Sequence, residues 1–231
     1  MSKYDFKLDM SSDNSNSVIL RNIKPNSKVL ELGCAYGRMT KYLKQELNCQ
    51  VDAIDVDEAA GSVAANWAHR SFAGDLDDLN LWTELPPDCN NYDYIILADV
   101  LEHLRKPADV LLAAKKLLKK NSLSHEGGSL WISIPNTAHN AVLIDLLNDK
   151  FIYRQVGLLD ETHIKLFTIN SLLEMIQDTG LTVKSRIDLP LAVEHTEFNN
   201  SYSDLPPEVT SFLQQRELGE IYQFVMELKD L

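Results

Sequence analysis

The sequence predicts an α/β chain built on a doubly wound, largely parallel sheet, and three observations carry that reading. Short, mainly apolar runs recur at 29–32, 51–54, 92–98 and 129–134, and the one at 92–98 lacks alternation, the pattern of a strand buried on both faces. Helical spacing separates one run from the next as far as residue 134. Beyond that point the order becomes helix, strand, insertion, strand, which predicts a terminal antiparallel hairpin.

Residues 1–13 are polar and carry no periodic pattern. From 14 to 24, Val18, Ile19 and Ile23 fall at helical spacing before Lys24-Pro25-Asn26, so a short helix is expected, as a lid or as packing. The run at 29–32 closes at Gly33, and after Gly37 the spacing of Met39, Tyr42, Leu43 and Leu47 is helical. Such a strand, glycine turn and helix lets main-chain amides approach a polar ligand closely. A phosphate-cradling loop would need Lys-Ser/Thr after its second glycine, where Arg38-Met39 stand. A dinucleotide loop would need glycine at position 35, which is Ala35. The second run ends at Asp55, an acid placed to accept hydrogen bonds from ribose hydroxyls.

Asp57 and Glu58 supply an N-cap and an acidic first turn for the next helix. A brief strand at 71–73 leads to Gly74-Asp75, and an acid there can accept from an exocyclic amine, although Asp75, Asp77 and Asp78 also read as turn residues. Residues 81–91, with Pro86-Pro87, are expected to be loop. The strand at 92–98 runs into Asp99 and the pair Glu102-His103, beside the carboxyl end of the sheet where ligands of open α/β folds sit. Pro107 opens a helix whose Lys115, Lys116, Lys119 and Lys120 are expected on a solvated face. After the strand at 129–134 and Pro135-Asn136, alternation is lost over 135–170, apart from a helix near 141–147. A helix at 169–179 ends at Gly180, a strand follows at 181–189, a polar insertion fills 190–215, and a last strand covers 220–228.

Four segments in this order resemble the class I S-adenosylmethionine-dependent methyltransferases. They are Val29-Leu30-Glu31-Leu32-Gly33-Cys34-Ala35-Tyr36-Gly37, the stretch Ala53 to Asp57, Gly74-Asp75-Leu76, and the run from Tyr92 to Leu104. The resemblance implies a Rossmann-like seven-stranded sheet of order 3-2-1-4-5-7-6 with strand 7 antiparallel, in a single domain with an inserted cap segment. It also implies S-adenosylmethionine as cofactor and S-adenosylhomocysteine as product. The cofactor residues it implies are Glu31, Gly33, Cys34, Ala35, Tyr36 and Gly37 in the first loop, and Asp55 and Val56 at the ribose. Asp75 and Leu76 follow at the adenine, and Ala98, Asp99 and Val100 after the fourth strand. Ala35 stands where the family usually has glycine; binding is expected to survive the added methyl. The segment from Phe151 to Thr168, with Tyr153, Gly157-Leu158-Leu159-Asp160, Thr162-His163 and Phe167-Thr168, is similar to a subfamily associated with polysaccharide genes. That implies a small-molecule or glycan acceptor, most simply a sugar hydroxyl.

A hydroxyl acceptor needs a base, and His103 and His163 are the catalytic candidates, with Asp160 near His163 to orient it. A turn cap or a core position is the alternative for each. His139, Tyr153 and Asp160 are candidates for the acceptor pocket. No metal is expected, because Asp99, Glu102 and His103 within one helical turn cannot all face one point. N- or C-methylation, or a non-catalytic cofactor-binding module, are the alternative functions.

With 231 residues, 45% of them apolar, the chain suits one well-packed domain. Lys and Arg total 22 against 34 Asp and Glu; the formal charge of -12 disfavours a nucleic-acid partner. Cys34, Cys49 and Cys89 are odd in number and lack paired spacing, as in reduced intracellular proteins. No apolar run is long enough for membrane insertion and no leader pattern opens the chain, so a cytoplasmic location is expected. A homodimer is one open assembly state.

Overall fold

The computed structural model describes residues 8–120 and 126–230. The unpatterned stretch at 1–13 therefore lies partly outside the described residues.

Seven strands form one sheet of order β3-β2-β1-β4-β5-β7-β6, the order the resemblance implied. β1 (Lys28–Leu32), β2 (Gln50–Asp55), β3 (Arg70–Ala73), β4 (Tyr94–Ala98) and β5 (Ser129–Pro135) run parallel, and β7 (Ile221–Asp230) pairs antiparallel with both β5 and β6 (Leu181–Pro190). The central strands have no polar face because helices cover both sides. On one face α1 (Ser15–Arg21) and α2 (Arg38–Gln45) pack Val18, Ile19, Leu20, Met39 and Leu43 onto Val29, Val51 and Ile96. On the other, α5 (Pro107–Leu117) and α7 (Ile169–Asp178) pack Val110, Leu111, Leu172 and Ile176 onto Leu30, Ile95 and Ile132. Asn14 caps α1 and Thr168 caps α7 through reciprocal side-chain bonds, while Asp57 caps α3 (Glu58–Ala64).

The cap is a second, smaller core. Ala141, Val142 and Ile144 of α6 (Asn140–Leu147) bury against Leu158, Leu159, Val193, Phe198 and Leu213. Asn200 donates to the Ala141 carbonyl and to Asp145, fastening the insertion to α6. Two expectations change. The stretch expected as loop at 81–91 contains most of α4 (Leu79–Glu84), because Asp78 caps it and Trp82 packs inward with its Nε1 donating to the Leu76 carbonyl. The insertion at 190–215 holds α8 (Pro207–Gln214), opened by a proline at its first position. The lysine face, exposed at Lys116 and Lys120 as expected, also carries ion pairs: Lys115 and Lys120 meet Asp230, and Lys119 meets Asp93.

Candidate active site

The carboxyl ends of β1, β2, β4 and β5 open into a cavity of about 920 Å³, and the β1–α2 loop forms its floor. The loop folds back onto β2: Gly33 and Cys34 donate to the Ile54 carbonyl at 2.8 and 3.2 Å, and Gly37 donates to Cys34 at 2.8 Å. Gly33, Ala35 and Gly37 all have left-handed φ, at 73°, 46° and 70°. Glycine is required at two of these places. A Cβ on Gly33 would lie 2.5 Å from Val100 Cγ2, and one on Gly37 would lie 2.6 Å from the Ala64 Cα. Ala35 tolerates its conformation because its N–H donates to Asp55 Oδ2 at 2.6 Å.

Asp55 therefore has two tasks at the end of β2. Its carboxylate accepts from Ala35 N and, at 2.8 Å, from Asp57 N, and it also faces the cavity. Glu31 sits beneath the loop, 4% exposed, where Thr40 Oγ1 donates to it at 2.6 Å. Burial pushes its carboxyl up to about 7 against the pull of that hydrogen bond, and the nearby Asp55 adds to the rise. Val56, Asp75 and Leu76 line the next wall. Asp75 accepts from Asp77 N, and Asp77 in turn accepts from Arg105 and Lys106 backbone amides, joining this wall to the loop after β4.

Ala98, Asp99 and Val100 form the opposite wall. Asp99 has φ 56°. Its carboxylate accepts from Ser133 Oγ at 2.6 Å, from Ser15 Oγ at 3.3 Å and from Gln223 Nε2, and burial raises its pKa despite these donors. Ser15 and Gln223 come from α1 and β7, one each from the beginning and the end of the fold.

The cap approaches this wall through backbone bonds from Ile164 and Lys165 to the Glu102 carbonyl, at 2.9 and 3.0 Å. They bring His163 against a short 3-10 turn, Leu101–His103, with the two imidazoles edge to face at 4.8 Å between centroids. The tautomer of His103 follows from its neighbours. Thr162 Oγ1 donates to Asp160 at 2.7 Å, so it can only accept from His103 Nδ1, 3.1 Å away, as the Thr162 carbonyl does at 3.2 Å. The proton is therefore on Nδ1, and Nε2 carries the lone pair. His163 is fixed the same way by Leu158 O, 3.2 Å from its Nδ1. Glu102 lies between them, 1% exposed, with Oε1 4.0 Å from His163 Nε2. Burial, reinforced by Asp99 and Asp160, raises its pKa well above the ordinary carboxylate range.

Of the residues expected at the site, Glu31, Gly33, Cys34, Ala35, Tyr36, Asp55, Val56, Asp75, Leu76, Ala98, Asp99, Val100, His103, Asp160 and His163 share this one cavity. Three do not. Gly37 lies behind the loop as the left-handed N-cap of α2. His139 is fully buried away from the cavity: its Nδ1 accepts from Ala141 N to cap α6, and its Nε2 bonds Leu191 O. Tyr153, half exposed, packs edge to face with Phe151 on the outside of the cap. Both were expected at the acceptor, and both were misread because a pattern of residue types does not say which side of an irregular segment faces inward. Glu102, Ser15, Asp77 and Gln223 line the cavity without having been singled out for it. Only Glu102 carried a signal, its place beside His103.

The cavity fits S-adenosylmethionine by the donor chemistry of its walls. Gly33 and Ala35 bring main-chain atoms to the cavity floor, Asp55 and Asp75 offer acceptors to hydroxyls and an amine, and the acidic surround suits a cation. A methyltransferase-domain family model matches residues 13–186. Among curated relatives, a ubiquinone biosynthesis O-methyltransferase of Leptothrix cholodnii is 25% identical over 166 residues, spanning 68% of this chain and 65% of its own length. That of Pseudomonas aeruginosa is 27% identical over 168 residues, spanning 70% and 67%. SAM-dependent methyltransferases from Aquifex aeolicus and Archaeoglobus fulgidus have similar folds. Their TM-scores are 0.56 and 0.59, at 16% and 15% identity, with 94% and 93% of this chain and 89% and 94% of theirs covered. On the family match, the chain belongs to the class I S-adenosylmethionine-dependent methyltransferases.

Proposed function

We propose that the chain moves a methyl group from S-adenosylmethionine to a hydroxyl oxygen of a small-molecule acceptor, and that a sugar or sugar-linked intermediate is the acceptor class. The observation that carries this reading is the continuity of one cavity from the Glu31, Gly33 and Asp55 floor to the His103 and His163 wall. Such a cavity has room for a cofactor at one end and an acceptor at the other. The names of the relatives, O-methyltransferases, support oxygen as the acceptor atom. The segment from Phe151 to Thr168, similar to the polysaccharide-associated subfamily, supports the sugar.

In this reading Asp55 and Asp75 hold the ribose and adenine ends. The cofactor supplies an already activated methyl group on a sulfonium, so the protein has only to align the acceptor and take its proton. His103 Nε2 takes that proton, since Thr162 and Asp160 hold the ring in the tautomer with its proton on Nδ1, and His103 lines the cavity.

The test is S-adenosylhomocysteine release from S-adenosylmethionine with a panel of sugars, nucleotide-sugars and phenols. A hydroxylated acceptor should turn over, and His103→Ala should lower kcat by at least about a hundredfold, the lower end of general-base effects. Cofactor binding without turnover of any acceptor would instead support a non-catalytic cofactor-binding module.

A further inference from the structure

The cavity wall carries a feature that proton transfer alone does not require. We propose that Glu102, His103 and His163 bind one divalent transition-metal ion, with the open side of its coordination shell toward the acceptor end of the cavity.

One candidate ligand atom from each of the three residues lies within 4.8 Å of the others. Atoms bound at about 2.0–2.2 Å to a common ion are separated by roughly 3–4 Å, so small side-chain rotations bring these three to binding distance. Both imidazoles are prepared for it. Each gives its Nδ1 proton to a backbone carbonyl, Thr162 O for His103 and Leu158 O for His163, each at 3.2 Å. A histidine that ligates a metal through one nitrogen commonly donates from the other to a carbonyl or carboxylate, which fixes ring and tautomer. For His103 the support extends a further layer, through Thr162 Oγ1 to Asp160.

Glu102 is the second, independent indication. Its side chain is 1% exposed, and Oε2 has no hydrogen-bond partner among the described residues. A buried carboxyl oxygen without a donor costs about 1–3 kcal/mol or more, and a cation between Glu102 and the two imidazoles would satisfy it. The cap is joined to this turn by backbone bonds from Ile164 and Lys165 to the Glu102 main-chain carbonyl and by His103 to Thr162, none of which uses the Glu102 carboxyl.

The expectation of no metal weighed Asp99, Glu102 and His103 alone. Asp99 is engaged elsewhere, by Ser133, Ser15 and Gln223, and the third ligand arrives from the cap. Two imidazoles and one carboxylate favour zinc, iron, cobalt or manganese over the oxygen-seeking magnesium and calcium. Three protein ligands leave a position for an oxygen donor. The ion would occupy the lone pair assigned above to the acceptor proton, so a loaded protein would activate the hydroxyl through the ion. Metal binding itself stands on the cluster's geometry and is independent of methyl transfer.

The experiment uses the full chain, dialysed against chelator and titrated with Co²⁺ followed by visible absorption, then with Zn²⁺ in competition. S-adenosylhomocysteine binding, measured on the same samples, reports the fold and the cofactor end. The expected result is one Co²⁺ per chain with ligand-field bands and no thiolate charge-transfer band, displaced by Zn²⁺. Affinity should fall at least about tenfold, the loss a single supporting partner can cause, in Glu102→Gln and His163→Gln, and stay unchanged in the exposed-site control His69→Ala. Should the buried variants fail to bind S-adenosylhomocysteine, His103→Asn, at a half-buried position, gives the same comparison in a folded protein. Wild-type protein that binds S-adenosylhomocysteine but no Co²⁺ or Zn²⁺ overturns the metal site alone, as does binding equally tight in every folded cluster variant. Metal binding without S-adenosylhomocysteine binding would leave the metal site standing and remove the methyltransferase reading.

Discussion

At the scale of single residues, the cofactor end depends on groups whose backbone or protonation state is unusual. Glu31 illustrates the second kind. Its carboxyl is pushed from the ordinary 4.5 up to about 7 in the folded chain, chiefly by burial. Below 4.5 both folded and unfolded chains hold the proton and the group costs nothing. As pH rises from there toward 7 the unfolded chain ionises first, so stability falls, and above 7 the full cost, on the order of 3 kcal/mol, is present. Denaturant unfolding of ligand-free protein should therefore show the wild type losing stability relative to Glu31→Gln between pH 4.5 and 8; a constant difference would remove the buried-proton account. Gly37→Ala should destabilise by at least about 1–2 kcal/mol, from the left-handed φ alone, with more from the Ala64 contact, as read by thermal melting. These residues were legible in the sequence because glycine and a terminal acid have local meanings: Gly33, Gly37 and Asp55 each do at one position what the turn demands. His139 and Tyr153 were not legible, since their direction is set by α6 and Phe151 rather than by their own neighbours in sequence.

At the scale of elements, the strands and the helices that cross over them could be read directly, because burial on both faces leaves mainly apolar runs with few polar interruptions. α4 could not: it is six residues long, with no residue fully buried, and only the Asp78 cap marks it. The cap held the least information. Its core forms between residues as distant as Val142 and Leu213, and its polar ties, Asn200 to Asp145 and Glu197 to the Leu158 amide, join segments that share no period. The cap nevertheless places His163. Leu158→Ala, at a fully buried position, should cost about 2–5 kcal/mol and raise amide exchange across the cap more than in β1 or β4. It should also weaken Co²⁺ binding, because the Leu158 carbonyl orients His163. Uniform exchange across the whole chain would mean that the cap has no separate core.

At the scale of the whole molecule, the sheet order gathers the ends of four strands at one cavity, and α1 and β7 reach it from opposite ends of the sequence to engage Asp99. The order itself was accessible only through the resemblance to a known family; periodicity alone predicts a parallel sheet with a terminal hairpin and no particular arrangement. Among the described residues no helix is long and apolar enough to cross a membrane. The formal charge of -12 repels polyanions and, near the cavity, suits a cationic cofactor. In the proposed function this cavity binds the cofactor through Asp55 and the loop it organises. Calorimetric titration with S-adenosylhomocysteine, on wild type and on Asp55→Ala, tests it most directly. Micromolar binding is expected of the wild type, about -8 kcal/mol, with a loss of at least about a hundredfold in a variant that melts as a folded protein. No binding by the wild type, or equal binding by a folded Asp55→Ala, would contradict it.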